Sequence, residues 1–188
     1  MRLTVPRTAA VALAVLVVMN GAATWFHDRF GAGILDFAGG RNGADPRPGG
    51  YTPQGAYDLL TAYGADGRRW HLILSLTGDV LLPAVTVLFG LVAFASLARR
   101  ARVGRWVLAL PVLYVLADYA ENAGIVTMLL GYPDRLDAVA TITNVLTSLK
   151  TAAVGVCVLA AIILGVLAWL RRPSKSPPPD AAAGLSGS

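Results

Sequence analysis

Apolar residues in this chain fall in four long runs, about 8–26, 70–98, 106–130 and 139–170, not at the spacing of an amphipathic helix. Each run reaches about the 20 residues that an α-helix needs to cross a bilayer, and a helix satisfies its own backbone hydrogen bonds there. A water-soluble fold of 188 residues could not bury four such segments, and 55% hydrophobic against 14% charged residues is a membrane composition. The expected fold is an all-α integral membrane protein. Its four-helix transmembrane domain covers residues 1–172, with an outer loop over 27–69 carrying a short amphipathic helix. The Pro-, Ser- and Ala-rich stretch 173–188 reads as a disordered cytoplasmic tail.

The net charge of +5 does not point to nucleic acid, because the basic residues sit in short clusters beside the apolar runs, without interleaved aromatics. Arg2 and Arg7 precede the first run, Arg99, Arg100, Arg102 and Arg105 separate the second from the third, and Arg171, Arg172 and Lys175 follow the fourth. By the positive-inside rule both ends are cytoplasmic, in a multi-pass protein of the cell membrane. The first run also fits a cleaved signal peptide loosely, with Gly21, Ala22 and Ala23 as the small residues. Cys157 is the single cysteine and excludes an intrachain disulfide; within an apolar run it reads as packing. In the outer loop, Thr52 followed by Pro53 predicts a helix start, and Tyr57, Leu60 and Tyr63 recur at helical spacing up to Gly64. Pro83 and Pro111 are expected to kink their spans, and the length of the second and fourth runs implies tilt or extension beyond the bilayer.

Ionisable residues at membrane depth are costly and need a compensating reason. Asp79 lies roughly 14 Å below the outer end of the second run, Asp118 and Glu121 about 15–20 Å below that of the third, and Lys150 about 15 Å below that of the fourth. Asp118, Glu121 and Asn122 project from one face at i, i+3 and i+4, with Tyr114 a turn earlier. His71, Ser75, Asp79 and Thr86 form a stripe on the second run; Asn144, Thr147, Ser148 and Thr151 do so on the fourth, with Lys150 flanking. Three acids against one lysine cannot all be ionised cheaply at low dielectric, so at least one carboxyl is expected to keep its proton. A neutral carboxylic acid in an apolar cavity is a proton donor, and a neighbouring carboxylate or amide can orient it.

A plainer reading stands beside this one: a buried pair of Lys150 with an acid, helped by Asn and Thr, fixes helix packing. Three acids plus Asn122 exceed what one packing bridge needs. A metal held by Asp79, Asp118 and Glu121 is opposed by the lysine, and His27 and His71 at the membrane boundary do not make a bis-imidazole haem site. No metal or cofactor is expected.

Gly67, Arg68 and Arg69 lead into the second run, which carries Asp79 and Pro83. Asp118-Tyr119-Ala120-Glu121-Asn122 follows in the third run, which Tyr132 and Pro133 close. Over residues 55–150 this pattern resembles a family of small bacterial four-helix membrane proteins with an acid in the second helix and a DxxEN motif in the third. In size and intramembrane acids the chain is also similar to the small membrane-bound terpene cyclases that make drimane-type and indole sesquiterpenoids. That second resemblance implies protonation of a terminal alkene or epoxide of a prenyl chain, followed by carbocation cyclisation. From the residues themselves, Asp118 or Glu121 is the candidate proton donor and Asp79 or Asn122 the orienter, with Lys150 in the same layer. Tyr114, Tyr119 and Trp106 are candidate stabilisers of cationic intermediates, and Ser75, Asn144 and Ser148 candidate substrate contacts. The expected partners are the bilayer and an isoprenoid or lipidic substrate. A proton-linked transporter, as a homo-oligomer, and a non-enzymatic accessory subunit of a larger membrane protein are the alternatives.

Overall fold

The computed structural model describes residues 52–171, together with Val11, Ala14 and Val18, which are helical and exposed. The rest of the first run, the loop up to residue 51 and the tail from residue 172 lie outside the described residues, and with them the expected first span and both chain ends.

All regular structure among the described residues is helical: α1 Pro53–Ala62, α2 Gly64–Ala101, a 3-10 turn Arg105–Leu108, α3 Ala109–Gly131 and α4 Asp137–Leu170. α1 starts as the sequence predicts, for the Thr52 hydroxyl accepts a 3.1 Å hydrogen bond from the Gly55 amide and Pro53 takes the first helical position. It ends at Ala62, two residues before Gly64, whose φ of 64° turns the chain into α2. A side chain disfavours that conformation. Gly64→Ala is expected to cost about 1 kcal/mol, read as a lower thermal midpoint in detergent; an unchanged midpoint would refute the reading.

α2 therefore begins six residues before the apolar run does and spans 38 residues, with 34 in α4, or about 57 and 51 Å at 1.5 Å per residue. Both exceed the roughly 30 Å hydrocarbon layer. α2, the 3-10 turn with α3, and α4 are each long and apolar enough to cross a membrane. Leu81, Leu88, Leu113, Leu116, Leu159 and Ile162 are all exposed, a belt suited to lipid.

α2, α3 and α4 pack against one another through two apolar clusters, one at each end. At the end that carries α1, Tyr57, Leu60 and Tyr63 bury themselves against Met128, Leu129 and Ala140. Polar ties hold α1 over this end. Tyr57 Oη accepts from the Leu136 amide at 2.6 Å, and Arg68 donates to the Leu60 carbonyl at 2.9 Å. The Arg68 guanidinium also lies 3.9 Å from the centre of the Tyr132 ring, a cation–π contact. At the arginine end Ala98, Ala101 and Ala168 let the helices approach around Phe94, Val107 and Leu164, with Cys157 at the cluster's edge.

α2 runs as one helix through Pro83, and Pro111 sits inside the span formed by the 3-10 turn with α3, but near its start. It falls in the first turn of α3, after the 3-10 turn, where its missing amide removes no intrahelical bond. A Cβ placed on Gly90 would lie 3.3 Å from Pro111 Cβ, so the two helices touch there.

Candidate functional site

The DxxEN spacing decides what faces the bundle interior. Asp118, Glu121 and Asn122 are all buried on one side of α3. Lys150 of α4 reaches both carboxylates: Nζ is 3.3 Å from Asp118 Oδ1 and pairs more closely with Glu121 Oε2. The Thr147 hydroxyl, one turn before Lys150, donates to Glu121 Oε1 at 2.7 Å. Each Glu121 oxygen thus has its own donor, whereas the ammonium lies farther from Asp118. The site is a carboxylate pair bridged by one ammonium, among apolar helices, where a cation would otherwise have to sit.

Asn122 turns to α2 instead. Its Nδ2 donates 2.8 Å to the Ser75 carbonyl, which fixes the antiparallel register of α3 on α2, while its buried Oδ1 has no hydrogen-bond partner. Next to it, Ser75 Oγ points to Asp79 Oδ2 at 3.5 Å, the long limit for such a bond. Asp79 itself is exposed on α2 at this depth, yet within electrostatic range of Asp118. It belongs to the same layer but not to the buried core of the site.

Among the aromatic candidates, Tyr114 is half-buried and within electrostatic range of Asp118, Lys150 and Glu121. Tyr119 is also half-buried, but its hydroxyl is committed, donating 2.8 Å to the Val80 carbonyl beside the Asp79 carbonyl that Pro83 cannot engage. Trp106 must be removed from the site. It lies in the 3-10 turn, 70% exposed, twelve residues and so about 18 Å along the helix from Asp118.

On α4 the expected polar stripe is rotated. Ser148 and Thr151 are exposed and bond the carbonyls four residues back, Asn144 and Thr147, so Ser148 does not face the acids. Asn144 is half-buried, about 100° around the helix from Thr143. The inward face is Thr143, Thr147 and Lys150, at i, i+4 and i+7. Thr143, fully buried, was not among the candidates; its spacing from Lys150 was the available signal. It packs on Gly124 of α3, where an added Cβ would come within 2.0 Å of Thr143 Oγ1. His71 sits at the α1 end of the bundle, edge-on to Tyr63 with ring centres 5.5 Å apart, two turns of α2 away from Asp79.

Among the described residues no group of three His, Cys, Asp or Glu could hold a metal ion. The chain matches no family model, no curated protein and no solved structure.

Proposed function

We propose that this protein is an intramembrane acid–base enzyme acting on an isoprenoid or similar lipidic substrate, most concretely by protonation-initiated terpene cyclisation. The observation that supports this reading is the sharing of Lys150 by Asp118 and Glu121 at mid-span. One ammonium cannot neutralise two desolvated carboxylates. Glu121, with both Lys150 and Thr147 donating to it, is the better stabilised anion, which leaves Asp118 to carry the proton. A substrate reaching this depth between apolar faces must itself be apolar. Asp118 then gives its proton to a terminal alkene carbon: the O–H bond breaks, a C–H bond forms, and a tertiary cation results. The next double bond attacks the cation and closes a ring, and loss of a proton to the Asp118 carboxylate yields a cyclic isomer of the substrate. Tyr114 supplies the aromatic face nearest the cation, and Lys150 fixes the two carboxylates.

In this reading the protein is a multi-pass protein of the cell membrane, with the run over about residues 8–26 contributing a fourth span and both ends cytoplasmic by the arginine clusters. It belongs to the small four-helix family whose DxxEN pattern it resembles. One observation favours a second reading, a non-enzymatic subunit: Asp79 is exposed at mid-span, where a partner's helix could meet it.

Mass spectrometry of small molecules co-purifying with the wild type and with Asp118→Asn tests the proposal. Removing a general acid costs about 100- to 10,000-fold in rate. An acyclic prenyl compound enriched in the variant, and cyclised or absent in the wild type, is the expected result. No specific ligand in either, with a larger membrane protein co-purifying and lost on Asp79→Ala, would establish the subunit reading instead.

A further inference from the structure

The end of the bundle opposite α1 holds a second feature that the carboxylate layer does not use. Arg99, Arg100, Arg102, Arg105 and Arg171 gather there, and no carboxylate among the described residues pairs with any of them. Three of the guanidiniums are braced on backbone. Arg99 Nε donates to the Ala95 carbonyl at 3.2 Å, Arg100 Nε to the Ala168 carbonyl at 3.4 Å, and Arg171 to the Ala101 carbonyl. Each brace uses one donor of a five-donor fork and leaves the others for a ligand. Between two of these arginines a cavity of about 190 Å³ opens, lined by Ala95, Ala98, Arg99, Val103, Arg105 and Leu108. Its lining is mostly apolar, and Arg99 and Arg105 are the charged residues on it. Trp106 and Trp169 are exposed at the same end, the placement of aromatics at a headgroup boundary. Gly104 leaves room for the Trp106 ring, since a Cβ there would lie 2.8 Å from Trp106 Cδ1.

A basic rim on an apolar cavity at a membrane boundary matches one molecule better than any other: a phosphate monoanion carrying acyl chains. We infer that this cavity binds an anionic phospholipid, its phosphate held by Arg99 and Arg105 and the start of an acyl chain lying against Ala95, Val103 and Leu108. Arginine suits the task because its planar fork takes two phosphate oxygens at once. A zwitterionic lipid brings its own cation against the arginine rim and binds less well. The site lies about 15 Å or more along the helices from Asp118, so it stands independently of the catalytic proposal.

Native mass spectrometry of the full chain in mild detergent, titrated with phosphatidylglycerol and separately with phosphatidylcholine, tests this. Phosphatidylglycerol is expected to form a one-lipid adduct that outlasts the phosphatidylcholine adduct at equal concentration. Arg99→Gln with Arg105→Gln is expected to weaken it about thirtyfold, from about fivefold per arginine, while Arg99→Lys with Arg105→Lys keeps the charge and loses the fork, giving an intermediate value. Ala95→Phe, which fills the cavity and leaves every arginine, is expected to remove the adduct as well. Helicity by circular dichroism confirms that each variant is folded. Equal binding of the two lipids, binding unchanged in the Gln pair, or displacement of phosphatidylglycerol by millimolar inorganic phosphate alone would each overturn the inference.

Discussion

Lys150→Met is expected to destabilise the protein by about 3–5 kcal/mol, because it leaves two buried carboxylates facing each other with no cation between them. The lower end of that range is the better expectation, for the Lys150 side chain keeps 30% exposure and part of its charge is already solvated. Methionine preserves the unbranched stem, so little packing is lost with the charge. The readout is the thermal midpoint of purified protein in detergent, alongside the yield of membrane-inserted protein. Adding Asp118→Asn and Glu121→Gln to Lys150→Met removes the charges and keeps the shapes, and should restore most of the loss. A Lys150→Met protein as stable as the wild type would mean that the ammonium does not bridge the two carboxylates. The triple variant also separates the two roles of the layer. A packing bridge predicts a stable and functional triple variant, whereas proton transfer by Asp118 predicts a stable one without turnover.

That Asp118, Glu121 and Lys150 meet at one level of the bundle is legible in the sequence because level is counted along a helix, and residues 118, 121 and 150 keep their positions whatever the helices do sideways. Direction was legible only where a short i, i+3, i+4 motif fixed it, as for Asp118, Glu121 and Asn122. On α4 the hydroxyl-bearing residues are dense enough that two different faces look polar. Ser148 and Thr151 bond their own backbone, so a hydroxyl there says nothing about which way the interior lies. Asp79 shows the same limit: an acid at mid-span reads as facing inward, yet Asp79 is exposed while its Oδ2 meets the buried Ser75 hydroxyl and Asn122 takes the Ser75 carbonyl beside it.

The start of α1 at Thr52 and Pro53 is legible in the sequence, because local chemistry suffices there. The start of α2 was placed too late because residues 64–69 are polar yet helical, held by the contact of Arg68 with Tyr132 and its bond to Leu60. Those are long-range contacts that hydropathy does not record. They also give Arg68 and Tyr132 a part in holding α1 over the bundle, separate from the acids. Aromatic character alone suggests Trp106 for the site; its position beside Arg105 is the better guide.

Gly124→Ala is expected to cost about 2–3 kcal/mol, as overpacking in a tightly closed contact does. Glycine is required here by space and not by φ, since the added Cβ would meet Thr143 at 2.0 Å from Oγ1, 3.1 Å from Cβ and 3.2 Å from Cγ2. Thr143 cannot swing aside freely, for it is fully buried and its hydroxyl is tied to the Val139 carbonyl at 2.8 Å. α3 and α4 must therefore separate. Gly124 is one turn from Glu121, and Thr143 one turn from Thr147, so the separation opens the bond between Thr147 and Glu121 first and the approach of Lys150 next. The effect is then larger than the local clash, and it falls on the carboxylate layer although neither substituted residue carries a charge. Thr143→Ala in the same chain removes Oγ1 and Cγ2 and should recover most of the thermal midpoint, with the remaining 3.1 Å Cβ contact leaving a small deficit. A single Gly124→Ala variant as stable as the wild type would show that the helices are farther apart than described. A destabilised variant that Thr143→Ala fails to rescue would place the strain elsewhere on α3.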